Sequence, residues 1–215
     1  MGILDDLRQS VIGGDMNRTK ELVAKAIAED IPAEKILTDG LISAMAEVGR
    51  MFELGEFFVP EMLIAARAMK SGLTLLRPHL TAANVHAIGK VIIGTVEGDV
   101  HDIGKNLEGT MLEGAGFEVS DLGADVPSEK YIQAVREHHP DLIACSALLT
   151  TTMMRMKDLV QALDEAGLHN QVKVMVGGAP VTEGFARDIG ADLYAPDAAS
   201  AASRAKDLIF ELRKV

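Results

Sequence analysis

From Lys90 onward, short apolar, β-branched runs alternate strictly with segments of helical periodicity, and no other feature limits the possible folds as much. The runs Lys90–Val96, Glu118–Asp121, Leu142–Ala147, Lys173–Val176 and Leu193–Tyr194 read as strands. Helices are expected near Gly104–Ala115, Ser128–His138, Thr152–Ala166, Val181–Ile189 and Ala199–Arg213. Such alternation predicts an α/β domain, a parallel sheet with helices on both faces. Five strands suit the flavodoxin-like order 2-1-3-4-5. Ligands of these sheets lie beyond the carboxyl ends of the first and third strands, where the winding direction reverses.

The residues before Lys90 follow a different grammar. Leu37, Leu41, Met45, Val48 and Phe52 recur at helical spacing, as do Met62, Leu63, Ala66, Met69, Leu73 and Leu76. Pro78 is expected to end the second of these helices. Another helix should run from Met16 to Asp30, with Asp15 as its N-cap and Pro32 opening the next, after a short helix near residues 3–12. The chain therefore predicts a four-helix bundle over residues 1–86 and an α/β domain over residues 87–215. The small-residue-rich stretch Thr81–Gly89 is the expected linker and a candidate hinge.

Composition narrows the class of function. With 215 residues and a net charge of -11, the chain lacks the clustered cations that a nucleic-acid surface needs. Its longest apolar runs, such as Leu142–Leu149, are far shorter than a membrane span. The acidic start, Met-Gly-Ile-Leu-Asp-Asp, has no secretion-signal pattern, and the single Cys145 fits a reducing compartment. A cytoplasmic protein is expected. Cys145 itself, inside an apolar strand, reads as core.

Chemistry concentrates in Glu97-Gly98-Asp99-Val100-His101-Asp102-Ile103-Gly104, which follows the first strand and leads into a helix. His101 offers a ring nitrogen, and Asp99 can accept a hydrogen bond from the other, which would fix the tautomer and raise the basicity of a ligating imidazole. Taken alone, this loop is equally readable as a polar helix cap. Two further elements fall at the carboxyl ends of neighbouring strands: Ser146-Ala147-Leu148 after the third, Gly177-Gly178 after the fourth. Forty-one residues separate Gly104 from Ser146, and 28 separate Leu148 from Gly177.

Asp-x-His-x-x-Gly, Ser-x-Leu and Gly-Gly at these distances resemble the cobalamin-binding domain of methionine synthase and the corrinoid methyl carriers. The resemblance implies a bound cobalamin or related corrinoid whose own base is displaced, with His101 as the lower cobalt ligand and Asp99 hydrogen-bonded to it. It implies that Ser146, Leu148, Gly177 and Gly178 line a slot for the displaced nucleotide tail, and that Thr152 extends the His–Asp relay. Asp102, Ile103, Gly104 and Thr150 belong to the implied cofactor contacts. Lys105 and Asn106 are candidates to bond corrin amides. Val48 to Met62 is similar to the cap bundle of the same proteins, in which Phe52 and Val59 match the residues covering the upper corrin face; Phe57 reads as bundle core.

By this resemblance the chain is a carrier subunit of a multicomponent methyltransferase system rather than a stand-alone enzyme. One methyltransferase would place a methyl group on cobalt(I), and a second would move it to tetrahydrofolate or coenzyme M. A reductive activator is a third implied partner. The methyl donor is not legible. Other readings stay open: a cobalamin-sensing module, the small subunit of an adenosylcobalamin-dependent mutase, or a flavodoxin-like domain without cobalt. The missing barrel counts against the mutase. The acidic charge, with no residues left for a DNA-binding module, counts against a transcriptional sensor.

Overall fold

The structure is a computed structural model that describes residues 2–213. The chain divides into two compact units, the first comprising the residues up to Ala87 with Gly114–Gly116, the second Ile88–Glu113 and the residues from Phe117 on.

The helical unit is built on α1 (Ile3–Ile12), α2 (Met16–Ala28), a continuous rod, and α5 (Val59–Ala82). The rod passes from α3 (Ala33–Lys35) through a wide π-helical turn (Ile36–Ile42) into α4 (Ser43–Glu53). Asp15 caps α2 as expected, its side chain accepting the Arg18 N–H at 2.9 Å. Leu7, Val11, Leu22, Val23, Leu41, Met45, Val48, Met62, Met69 and Leu76 are buried, most of the periodic apolar set, while Leu37, Phe52, Leu63 and Leu73 are half-buried. Gly40, in the wide turn, is held small by Leu7: an added Cβ would stand 2.6 Å from Leu7 Cδ2.

Pro78 does not end its helix, and this corrects the sequence expectation. α5 continues to Ala82, which shortens the connection to residues 83–89. Proline has no N–H for the Thr74 carbonyl, but Leu76 and Leu80 on either side are buried, so packing carries the helix past one missing bond. Pro78 itself is exposed. Pro78→Ala should therefore raise stability by about 1–2 kcal/mol, part of the ~3 kcal/mol helix penalty of proline, read as a higher urea midpoint with an unchanged slope. A lower midpoint would refute it.

In the α/β unit, β1 (Lys90–Thr95), β2 (Glu118–Asp121), β3 (Leu142–Ser146), β4 (Lys173–Gly177) and β5 (Leu193–Ala195) form one sheet in the order β2-β1-β3-β4-β5. All four pairings are parallel. The helices are α6 (Ile103–Gly114), α7 (Ser128–His138), α8 (Met154–Glu165), α9 (Glu183–Asp188) and α10 (Ala198–Leu212). Strand alternation divides the core. Ile92, Val96, Ile143, Cys145, Val174 and Val176 join Tyr131, Val135, Met156 and Leu159 of α7 and α8 on one face. Gly109 of α6 lies over Ile93 and Val119 on the other.

α8 and α9 each begin two residues later than expected. α9 is shorter than expected because Thr182 is its N-cap, accepting the Phe185 N–H. α8 begins at Met154 rather than Thr152, after a hydrogen-bonded turn in which Thr152 and Met153 both donate to the Leu149 carbonyl.

Candidate functional site

The sheet register aligns the three sequence elements. Thr95 pairs with Ser146, Ser146 with Gly177, and Gly177 with Ala195, so the ends of β1, β3, β4 and β5 form one row. The loops that follow this row carry the candidate residues. Order β2-β1-β3 puts the reversal of winding between β1 and β3, where the Asp99 loop and the Ser146–Leu148 segment emerge together.

Asp99 is the centre of this edge. It is fully buried, yet its carboxylate receives four hydrogen bonds. Oδ1 accepts the His101 backbone N–H at 3.0 Å and lies 2.7 Å from His101 Nδ1. Oδ2 accepts the Leu148 N–H at 2.8 Å and the Thr152 hydroxyl at 2.6 Å. Burial alone would raise the Asp99 carboxyl, but the bonds from Thr152, Leu148 and His101 outweigh it and hold the group well below the usual carboxylate range.

An ionised carboxylate only accepts, so the hydrogen between Asp99 and His101 sits on Nδ1. Nε2 is then the ring nitrogen left for a ligand, and it has no partner among the described residues. The His101 side chain is 46% exposed. Asp99 thus fixes both tautomer and ring direction, and Thr152, buried, extends the chain of bonds by one step.

The surface around this imidazole is apolar and open. Val100 is 71% exposed, Ile103 81%, and Leu148, Leu149 and Met154 each more than 40%. Gly104 adds to this: nothing lies within 4 Å of the position its Cβ would take, so packing within this chain does not demand a glycine. A close-lying ligand over the start of α6 would. Gly178 has a different reason, since φ of +127° is unfavourable for other residues and a Cβ would stand 1.9 Å from the Ala147 carbonyl oxygen. Gly177 is buried, with the Ala195 carbonyl oxygen 3.0 Å from where a Cβ would stand.

The structure therefore brings together Asp99, His101, Asp102, Ile103, Gly104, Ser146, Leu148, Thr152, Gly177 and Gly178 along one edge of the sheet. Thr150 is exposed in the turn between Leu148 and Thr152. Asp102 is half-buried and holds the Asn106 amide at 3.0 Å. Phe52 and Val59 lie in the helical unit, half-buried on the last turn of α4 and exposed at the start of α5. Leu54 and Phe58 between them are also exposed. Phe57 is half-buried rather than core.

Lys105 departs from expectation. It is buried, and its ammonium bonds Asp121 and the Asn106 side chain instead of turning outward. A cation one position after a loop glycine falls on the inner side of α6 once the helix begins at Ile103. The Cys145 thiol, as expected, is core, with burial raising its pKa. Among the described residues no group of three or more His, Cys, Asp or Glu is arranged to hold a metal.

Two residues escaped the sequence reading. Thr95 is fully buried, 3.2 Å from the Ser146 hydroxyl and 3.4 Å from the His101 carbonyl. Asp125, in the β2–α7 loop, accepts the Gly98 N–H at 2.7 Å and donates its own N–H to the Asp99 carbonyl at 2.9 Å. The available signal for Asp125 was its place among Gly123, Val126 and Pro127, a turn-forming cluster at the same sheet edge.

A B12 binding domain model matches residues 89–203, and a second B12 binding domain model matches residues 3–77. Dimethylamine corrinoid protein 3 of Methanosarcina acetivorans is 46% identical over 208 residues, covering 97% of each chain. The methanol:cobalamin methyltransferase complex MtaBC from Methanosarcina barkeri contains a chain that superposes with a TM-score of 0.86 at 30% identity, over 99% of this chain and 83% of that one. A cobalamin-binding protein from Desulfitobacterium hafniense gives 0.81 at 34% identity, over 95% and 97%.

Proposed function

Since the chain belongs to the B12-binding corrinoid proteins, we propose that it carries methyl groups on a bound corrinoid, with His101 Nε2 as the lower ligand to cobalt. The observation that carries the ligand assignment is the buried Asp99 carboxylate, which spends its hydrogen bonds on fixing one imidazole and leaves Nε2 as a lone pair on an open edge. The donor set suits this group: one nitrogen from the protein, when a corrin ring supplies the rest of the coordination. Open space at Gly104 and the exposed apolar residues Val100, Ile103, Leu148 and Leu149 give a flat macrocycle a surface to rest on. Ser146, Gly177 and Gly178 are assigned to the displaced tail of the cofactor.

When bound, the corrinoid supplies a cobalt centre that can take up a methyl group and release it. The chain's own residues regulate the lower ligand. Asp99 and Thr152 hold the proton on Nδ1, keep the ring aimed, and add electron density to the imidazole. To the helical unit we assign shielding, carried by the apolar side chains of Phe52 and Val59. A donor-specific methyltransferase, an acceptor methyltransferase using tetrahydrofolate or coenzyme M, and a reductive activator complete the scheme. Support for the methyltransferase partners comes from the related MtaBC complex. No helix of the described residues is long and apolar enough to cross a membrane, and we place the system in the cytoplasm.

The test uses protein labelled with ¹⁵N-histidine and loaded with unlabelled cobalamin. In the cobalt(II) state an axial ¹⁵N splits each cobalt line into a doublet, whereas the cofactor's own ¹⁴N base gives a triplet. Wild type should give the doublet, and His101→Ala should lose it with weaker cobalamin binding. A triplet in wild type would remove His101 from the ligand role.

A further inference from the structure

The Asp99 loop carries a constraint beyond its own side chain. Gly98 sits at φ of +78° and Asp125 at φ of +54°, so two left-handed residues face each other across the loops after β1 and β2. Their bonds form a bracket. Gly98 N–H donates to the Asp125 carboxylate at 2.7 Å, and the Asp125 N–H donates to the Asp99 carbonyl at 2.9 Å. One contact lies just before the Gly98–Asp99 unit and the other just after it. Between them they fix the backbone torsions that aim the Asp99 Cβ.

Asp125 does this from an exposed position and in a conformation that L-residues other than Asn and Asp seldom adopt. Glycine would suit the backbone better, but it would leave the Gly98 N–H without its acceptor. The neighbouring bonds, Val126 N–H to the Thr95 carbonyl and Thr95 N–H to the Gly123 carbonyl, already hold this loop against β1. The Asp125 side chain is therefore not needed to attach the loop. Its specific effect falls on Gly98 and Asp99.

We propose that Asp125 is a positioning residue for the lower ligand: by fixing the Gly98–Asp99 backbone it sets the direction of the Asp99 carboxylate and, through it, of His101. This rests on the reading of His101 given above. It acts through Asp99 and touches neither imidazole nor cofactor.

The substitutions that separate backbone from side chain are Asp125→Asn and Asp125→Gly. Asparagine tolerates the left-handed conformation and keeps an acceptor oxygen; glycine keeps only the conformation. Full-length apoprotein is titrated with aquocobalamin, and each variant, ¹⁵N-histidine labelled, is examined in the cobalt(II) state. Asp125→Gly should bind about tenfold more weakly, the worth of one hydrogen bond, and show a smaller share of the ¹⁵N doublet. Asp125→Asn should stay within about twofold of wild type with the doublet intact, a rescue that general loop destabilisation would not produce.

If Asp125→Gly matches wild type in affinity and doublet while His101→Ala loses the doublet, this inference fails and the ligand reading stands. If Asp125→Asn is as weak as Asp125→Gly, the bracket is not the cause and the inference also fails. Amide exchange at Gly98 in the wild-type apoprotein is independent of whether the variants fold. Protection is expected, and free exchange would overturn the proposal.

Discussion

Asp99→Ala should cost the apoprotein about 3 kcal/mol of folding stability, before any cofactor is considered, because one carboxylate satisfies three residues at once. Removing it leaves the Leu148 N–H and both His101 donors without an acceptor, while the Thr152 hydroxyl keeps only the Leu149 carbonyl at 3.1 Å. A stranded buried donor costs about 1–3 kcal/mol, and water entering at the exposed His101 side recovers some of the total. The same change frees the His101 ring, so corrinoid binding should weaken by at least the 10–100-fold typical of lost partners behind a metal-ligating histidine. Urea unfolding of the apoprotein and an aquocobalamin titration measure the two losses separately. A stability change under about 0.5 kcal/mol would mean the four bonds are not made in solution.

Asp99→Asn is informative in a different way. The amide can still accept at one oxygen, but its nitrogen donates, so it opposes the two donors that met the oxygen it replaces. If that oxygen faces Leu148 and Thr152, the amide nitrogen meets His101 Nδ1, and the proton must move to Nε2, the atom assigned to cobalt. Asparagine should therefore preserve much of the fold and still lose the ¹⁵N doublet.

Much of this edge was legible before any coordinates. Strand–helix alternation gave the parallel sheet, because a central parallel strand is buried on both sides and the runs of β1, β3 and β4 are apolar enough for that; β2, at the edge, is not. The spacing of Gly104, Ser146 and Gly177 gave the row of strand ends, since each strand begins where the preceding helix returns. What stayed hidden depends on tertiary context. Pro78 looked like a terminator because the burial of Leu76 and Leu80 is not a local property. Asp125 carries no motif: its role comes from a contact with Gly98, 27 residues away in sequence, which no periodicity encodes. Lys105 pointed inward because α6 starts one residue earlier than the loop glycine suggested.

The second large effect lies on α6 and has the opposite pH sense to Asp99. Burial pushes the Glu108 carboxyl up to about 7, with the Lys105 ammonium one turn earlier opposing the rise. In the unfolded chain the same group titrates near 4.5. Between those values the unfolded chain releases its proton while the native state keeps it, so stability falls as pH rises and is level again above 7. The full loss amounts to about 3 kcal/mol. Asp99 works the other way: its carboxyl is depressed, so its contribution is present above the ordinary carboxylate range and is lost as pH falls through the native value. The summed contribution of these two acids of one β1–α6 unit is therefore largest at mildly acidic pH. Glu108→Gln replaces the neutral acid with a neutral isostere, so it should match wild type near pH 4.5 and exceed it by about 3 kcal/mol at pH 8, with the acid limb set by Asp99 unchanged. Urea midpoints of both proteins from pH 4 to 8 decide the matter. Parallel curves would mean that Glu108 is charged and solvated at neutral pH, and the buried face of α6 would then have to admit water beside Lys105.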